Sequence, residues 1–249
     1  MTVRTAPSLG EHSDLRIEHG ALIFPMPAAV YDQLADSKHL PRGACYNGVR
    51  GAMEVDAVPN GRYHDPRAAA VYDLLTELHR TSGTPAYVGA TAPLEGGSDD
   101  RRHPDVQFFV SAVKLRALDT ASRPAPIPDL AVEIDTTPLS QVRERERRDA
   151  YSRLGVRELW IWQRTGGTEA RPMGVATILV VADGGWREAH ESALVPGMRP
   201  HDLEVLMHEP GDVTRSRDAR TLAARLAPAF TAGSTLPSHA PYVDRRPAG

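Results

Sequence analysis

The chain has 249 residues, of which 41% are hydrophobic, so it is long enough to bury a full core. Its formal net charge of −3 lacks the basic excess of proteins that bind nucleic acids non-specifically, so any contact with DNA must be local. The single cysteine, Cys45, excludes an internal disulfide. No apolar run of about 18 residues and no secretory leader pattern occur, which excludes a membrane span and predicts a cytoplasmic protein.

Both ends of the chain differ in composition from its middle. Residues 1–14 and 231–249 are rich in Ser, Thr, Pro and Gly and show no apolar periodicity. Such composition is typical of disordered tails. The sequence therefore predicts one domain over residues 15–230.

Within this domain, the sequence predicts alternating strands and helices. Apolar alternation or short apolar runs predict strands over residues 16–24, 52–58, 86–90, 106–111, 130–134, 159–163, 176–182 and 186–189. Apolar residues at three- and four-residue spacing predict helices over residues 31–35, 65–80 and 139–154, and two short helices that end near Phe230. The strand, helix, strand order from residue 130 to 163 predicts a crossover in a mixed sheet. The predicted fold class is α/β or α+β, with a mixed β-sheet core flanked by helices and an antiparallel extension.

The predicted strand from Leu130 to Asp135 contains acidic side chains in an apolar setting. Burying a charge in a strand costs several kcal/mol unless the charge is paired or binds a metal, so such a strand often marks a functional site. Because side chains alternate along a strand, Glu133 and Asp135 share one face, near the end where α/β proteins commonly bind ligands.

Two further acids each follow a proline at the start of a predicted strand. Asp129 lies four residues before Glu133, roughly 13 Å away at about 3.3 Å per residue, which is too far to share an ion. Asp105 belongs to another strand, which can lie beside Glu133. Carboxylate oxygens suit Mg²⁺ or Mn²⁺, which favours Asp105 and Glu133 as a metal pair. The alternatives are simple strand initiation by each Pro-Asp pair, and a Glu133 that only pairs with a core arginine.

The helix predicted after this strand carries arginines in its apolar stripe. On a helical wheel, one stripe contains Leu139, Arg143, Arg147, Ala150, Tyr151 and Leu154. An arginine in an apolar stripe requires an anionic partner, and the Glu133 site is the nearest candidate in sequence. The remaining charged residues, Arg145, Glu146, Arg148 and Asp149, are predicted to form a solvated face.

These residues resemble the Uma-type restriction endonuclease family of the PD-(D/E)XK nuclease superfamily. The resemblance includes Pro104-Asp105, the run Pro128-Asp129-Leu130-Ala131-Val132-Glu133-Ile134, a cation four residues before Tyr151, and Gly155-Val156 with Glu158-Leu159-Trp160. It extends back to Ala52-Met53-Glu54-Val55 and to His64, and forward to the turn Ser192 to Met198. It covers roughly residues 16 to 210.

The resemblance implies a nuclease core in which Asp105 and Glu133 hold a divalent metal, Mg²⁺ or Mn²⁺, and the Ile134 carbonyl assists. It implies that Glu54 and His64 line the same cleft, although each is equally compatible with a structural role. The superfamily's simplest motif has Lys where this chain has Asp135. The Uma-type proteins have a helical Lys where this chain has Arg147, which can stabilise phosphate but cannot act as a base.

The leading hypothesis is therefore a metal-dependent endodeoxyribonuclease, with Asp105, Glu133 and Arg147 as catalytic residues and DNA as substrate. The first alternative is a catalytically silent protein that keeps the fold as a nucleic-acid-binding or assembly module. The second is a structural domain in which Glu133 and Arg147 form an internal ion pair. A homodimer is compatible with cutting two strands, with the Trp160 and Trp162 strand or the C-terminal helices as an interface.

Overall fold

A computed structural model describes most of the chain. The described residues are 16–18, 21–41, 44–56, 65–90, 94–95, 100–120, 125–136, 139–168, 172–182, 184–208 and 212–233. The predicted N-terminal tail, nearly all of the predicted C-terminal tail, and His64 lie outside these residues. No helix in the described ranges is long and apolar enough to cross a membrane.

The described residues form twelve strands and six helices. The strands are β1 (Arg16–Glu18), β2 (Ala21–Pro25), β3 (Cys45–Asn47), β4 (Ala52–Asp56), β5 (Tyr87–Ala90), β6 (Leu94–Glu95), β7 (Arg101–Arg102), β8 (Val106–Phe109), β9 (Leu130–Asp135), β10 (Glu158–Gly167), β11 (Pro172–Ala182) and β12 (Gly185–Ala189). The helices are α1 (Ala28–Asp36), α2 (Asp65–Ser82), α3 (Ala112–Asp119), α4 (Gln141–Leu154), α5 (Pro200–His208) and α6 (Asp212–Gly233).

The strands are arranged in two sheets of six. The first sheet has the order β1-β2-β4-β3-β7-β6, and its pairings are antiparallel. The second has the order β12-β11-β10-β9-β8-β5. In the second sheet β9 and β10 run parallel and are joined through α4, whereas the other neighbours are antiparallel. This mixed sheet with an antiparallel extension confirms the predicted fold class.

The two faces of the second sheet have different chemistry. Alternation in β9 and β10 directs Val132, Ile134, Trp160 and Trp162 into the largest hydrophobic core, which helices α2, α5 and α6 help to form. Both tryptophans are 0% exposed, so they are core residues and not the surface of a dimer interface. The opposite face carries Ala131, Glu133 and Asp135 towards α4, where a smaller core forms.

Local sequence signals set the limits of α4. Its N-cap is Ser140, whose hydroxyl accepts a hydrogen bond from the backbone N–H of Arg143. Its C-cap is Gly155, at φ +89°, a left-handed conformation that costs glycine little because it has no Cβ. These two caps fix where the helix begins and ends. The stripe residues Arg147, Ala150, Tyr151 and Leu154 are buried, as predicted.

The structure differs from the sequence-based predictions in three elements. In place of one strand over residues 16–24 it has two strands, β1 and β2, which pair antiparallel. Helix α3 was not predicted, because none of its residues is buried and it has no apolar stripe to detect. Helix α6 has 22 residues, is not short, and extends to Gly233, inside the predicted tail.

The face of α4 that was predicted to be solvated is only partly so. Arg145 and Asp149 are exposed, whereas Glu146 and Arg148 are half-buried. Glu146 pairs with Arg50, and Arg148 pairs with Glu144.

Candidate active site

The end of the β8–β9 pairing brings Asp105 close to Glu133. Val106 is the first paired residue of β8 and lies opposite Val132, and Asp105 precedes it. The Asp105 backbone N–H donates to the Val132 carbonyl at 2.9 Å, and its Oδ2 accepts the Ile134 N–H at 2.7 Å. These two bonds hold Asp105 against the segment that carries Glu133, and the two carboxyls interact electrostatically. The structure therefore brings together the two acids predicted as a metal pair.

Helix α4 places the guanidinium of Arg147 and the phenol of Tyr151 in contact with the acids of β9. Arg147 donates two hydrogen bonds to Asp135, at 2.8 Å to Oδ1 and 2.7 Å to Oδ2. Its Nη1 lies 3.9 Å from Glu133 Oε2. One helical turn later, the Tyr151 hydroxyl donates to Glu133 Oε1. The anionic partner that the sequence predicted for Arg147 is therefore mainly Asp135, and Glu133 is the second.

This cluster is buried, and burial dominates its electrostatics. The pKa of Glu133 is raised to about 8: burial is the largest cause, the neighbouring acids Asp105 and Asp135 also raise it, and Arg147 and the Tyr151 hydrogen bond act against the increase. Burial also raises the pKa of the Tyr151 hydroxyl, with a further contribution from Glu133. The carboxyls of Asp105 and Glu133 are thus close enough to repel each other, and a cation between them would relieve that repulsion.

Salt bridges attach α4 to the first sheet and to the segment before β7. Arg50 Nη2 lies 2.6 Å from Glu146, and Arg153 donates to both oxygens of Asp100, at 2.7 and 3.1 Å. Asp100 is 1% exposed and also accepts the Gly48 N–H. The helix that carries Arg147 and Tyr151 is therefore fixed near its middle and at its C-terminal end.

Glu54, which the resemblance placed at the cleft, lies in the first sheet. Its side chain accepts a hydrogen bond from Asn47 at 2.8 Å and lies 4.0 Å from Arg102 Nη1. Arg102 is buried, donates to Cys45 Sγ at 3.0 Å, and interacts electrostatically with Tyr151. Glu54 is thus connected to the Glu133 cluster through Arg102 and Tyr151, and no direct contact joins it to Glu133 among the described residues.

Two other buried acids, Asp129 and Glu158, bind groups that fix the fold. Asp129 is 0% exposed, its Oδ2 accepts the N–H groups of Val110 and Ser111, and Lys114 Nζ lies 2.8 Å from its Oδ1. It therefore fixes the start of α3.

Glu158, which no sequence argument assigned a role, accepts four hydrogen bonds. The donors are the Trp160 indole, the Ser192 hydroxyl, and the N–H groups of Ala193 and Leu194. It fixes the turn that the resemblance quoted at Ser192 to Met198. A signal was present in the sequence, because the acidic Glu158 directly precedes the apolar run from Leu159 to Trp162.

The carboxylates of Asp105 and Glu133 supply only part of the ligand set that a small divalent cation needs. No group of three or more His, Cys, Asp or Glu side chains placed to hold a metal occurs among the residues that the structure describes. Two carboxylates on one face are nevertheless the typical protein share of a Mg²⁺ site, which keeps several waters and takes further oxygens from substrate phosphate. Asp105 and Glu133 therefore fit as the protein ligands of such an ion, and the Ile134 carbonyl lies next to Glu133 in the chain.

The chain matches one family model and is similar to solved structures. Residues 31–171, more than half of the chain, match the model of the Uma2 family, described as "Putative restriction endonuclease". One similar solved structure is a "putative nuclease belonging to DUF820" from Anabaena variabilis. It has 14% sequence identity and a TM-score of 0.44, over 76% of this chain and 98% of that chain. A search of curated proteins finds no match.

Proposed function

Because this chain belongs to the Uma2 family, we propose that it is a divalent-metal-dependent endonuclease that hydrolyses phosphodiester bonds in DNA. The family description supports nuclease activity in general. The observation that supports the finer proposal is the closeness of three charged groups, since Asp105 interacts electrostatically with Glu133 and the Arg147 guanidinium lies 3.9 Å from Glu133. Two neighbouring acids can hold a divalent ion for phosphodiester hydrolysis, and a nearby cation can stabilise charge on the phosphate.

Each residue of the cluster has a distinct proposed role. Asp105 and Glu133 hold Mg²⁺ or Mn²⁺, with the Ile134 carbonyl as a further oxygen donor. When bound, the ion polarises the phosphate and makes a water molecule more acidic. Arg147 contributes positive charge towards the phosphate, and it cannot accept a proton because a guanidinium stays protonated in proteins. Tyr151 orients Glu133 through its hydrogen bond.

A catalytically silent nucleic-acid-binding or assembly module is the second candidate. The observation that favours it is the internal pairing of the cluster, since the Arg147 guanidinium donates twice to Asp135 and Tyr151 donates to Glu133. Such pairing stabilises a cluster that has no other ligand. The two candidates differ in whether DNA is cut.

Nicking of supercoiled plasmid by the purified protein tests the proposal. We expect nicking with Mg²⁺ or Mn²⁺, none with EDTA, and a loss of about a hundredfold or more in Asp105→Asn and in Glu133→Gln, because each loses a metal ligand. Asp129→Asn is the matched control, since Asp129 also follows a proline at a strand start but contacts backbone N–H groups and Lys114. Folding of every variant is checked by circular dichroism.

The outcomes separate the candidates. Plasmid binding without nicking supports the silent module. Nicking that persists in both folded acid variants shows that the activity resides elsewhere. A second variant, Arg147→Lys, places the family's lysine in the cluster, and a faster rate than that of the wild-type protein would identify the cluster as a nuclease centre that operates with a substitute cation.

A further inference from the structure

Arg147 lies between two carboxylates but bonds strongly to only one of them. Both of its terminal nitrogens donate to Asp135, at 2.8 and 2.7 Å, whereas the shortest ion-pair distance to Glu133 is 3.9 Å. Arg147 is 7% exposed and Asp135 is 8% exposed, so water contributes little to their stabilisation. Two parallel N–H···O bonds fix the orientation of the guanidinium plane as well as its position.

We propose that Asp135 is a positioning residue that holds the Arg147 guanidinium away from Glu133 and so keeps Glu133 available to a divalent cation. This inference rests on the proposed function, since it concerns the same site. It assigns to Asp135 a role other than that of a metal ligand. It also explains how the site holds an arginine beside a metal-binding acid without the two forming a closed ion pair.

The physical reason is that a buried guanidinium must have an anionic partner. If Asp135 loses its charge, Glu133 remains as a carboxylate 3.9 Å from the Arg147 guanidinium, and a small movement of the Arg147 side chain would bring the two into direct contact. Glu133 would then be neutralised by Arg147, and a cation would have to break that pair before it could bind. Asp135 prevents this because it already binds the Arg147 guanidinium.

The net charge of the cluster also indicates that Asp135 supports cation binding. Asp105, Glu133 and Asp135 provide three negative charges when ionised, and Arg147 provides one positive charge. The surplus of two negative charges matches a divalent ion. Removing the charge of Asp135 leaves a surplus of one, and removing both Asp135 and Arg147 charges restores a surplus of two. The effect of Asp135 should therefore depend on the presence of Arg147.

Calorimetric titration with Mn²⁺ alone, with no DNA, tests this dependence. The proteins are the wild type, Asp135→Asn, Arg147→Gln and the double variant, at one pH and one salt concentration. We expect Asp135→Asn to weaken Mn²⁺ binding by roughly tenfold or more, as is typical when a residue that orients a metal site is removed. The double variant should bind Mn²⁺ about as tightly as the wild type, and Arg147→Gln at least as tightly.

Asp100→Asn is the matched control. Asp100 is also a buried carboxylate that binds an α4 arginine through two hydrogen bonds, to Arg153, but it is not part of the Glu133 cluster. We expect it to lower stability without changing the affinity for Mn²⁺. If Asp135→Asn does not fold, Asp135→Glu provides the test, because it keeps the charge and should keep the affinity close to that of the wild type.

Each outcome bears on the inference. An Asp135→Asn protein that binds Mn²⁺ like the wild type overturns it, and so does a double variant that binds as weakly as Asp135→Asn, since Asp135 would then be a direct ligand. Loss of affinity in Asp135→Glu also overturns it. If the wild type binds Mn²⁺ and the series behaves as expected but plasmid is not nicked, the proposed endonuclease fails and the role of Asp135 stands. A wild type that binds no Mn²⁺ overturns both.

Discussion

Glu133 and Glu158 lie on neighbouring parallel strands, and both are glutamates in an apolar sequence. Glu158 begins β10 and receives four hydrogen bonds from neutral donors in Trp160 and the turn after Glu191. Glu133 lies near the end of β9 and faces Asp105, Asp135, Arg147 and Tyr151. Burial raises the pKa of both carboxyls.

The difference lies in what surrounds each carboxylate. Neutral donors aimed at Glu158 leave its charge satisfied with no further ligand, which is the pattern of a structural acid. Glu133 is surrounded by other acids, and such crowding raises the free energy of the cluster unless a cation or a proton joins it. Crowding of like charges, more than burial itself, therefore distinguishes the candidate active site from a structural buried acid.

The largest expected effect is a loss of stability on replacement of the structural glutamate, Glu158. Glu158→Ala should lower the free energy of unfolding by about 3 kcal/mol or more, because it leaves several buried donors without an acceptor. Chemical denaturation measures the loss. Nicking per folded molecule should not change, and a folded Glu158→Ala protein with lost activity would break the distinction between the two glutamates.

The pH dependence of stability should single out Glu133. Its pKa in the folded protein is about 8, above the ordinary value of 4.5, so the folded state binds this proton more tightly than the unfolded state does. Its contribution to stability is therefore complete below about pH 4.5 and is lost as the pH rises through 8. With EDTA present, we expect the wild type to lose stability between pH 5 and 8.5 relative to Glu133→Gln, because its folded state releases this proton over that range. Parallel pH profiles for the two proteins would contradict this assignment.

The smallest effects come from single hydroxyls. Tyr151→Phe removes the hydroxyl that binds Glu133, and Ser192→Ala removes one that binds Glu158, each at a cost of about 1 kcal/mol in denaturation experiments. Only Tyr151→Phe should also shift the pH at which stability falls, upwards, because the Tyr151 hydrogen bond lowers the pKa of Glu133. The same pH shift in Ser192→Ala would show that the two clusters are coupled.

Much of the site could be predicted because strand periodicity is strict. A repeat of two residues is enough to place Glu133 and Asp135 on one face, and the helical repeat is enough to place Arg147 and Tyr151 on the buried side of α4. Which acid Arg147 binds could not be predicted in the same way. Asp135 and Glu133 are both within reach of an arginine side chain, and only the position of α4 over the sheet selects Asp135.

Elements without a buried apolar stripe also could not be predicted from the sequence. Helix α3 has no buried residue, and it is fixed instead by contacts of the Val110 to Lys114 segment with Asp129. That contact spans 18 residues along the chain, between Ser111 and Asp129, and no local pattern encodes it. The structural role of Asp129, although its Pro-Asp sequence is identical to that of Asp105, follows only from its partners.

The sequence by itself determined the fold class, the strand that carries Glu133, the end of α4 at Gly155, and the family, since these depend on periodicity, capping and local motifs. The tertiary structure decided how the side chains pair. Whether a buried acid has N–H donors, an arginine or another acid as its neighbour depends on which strands and helices pack together. The electrostatic energy of a charge depends on distances through space, and separation along the chain does not fix these distances.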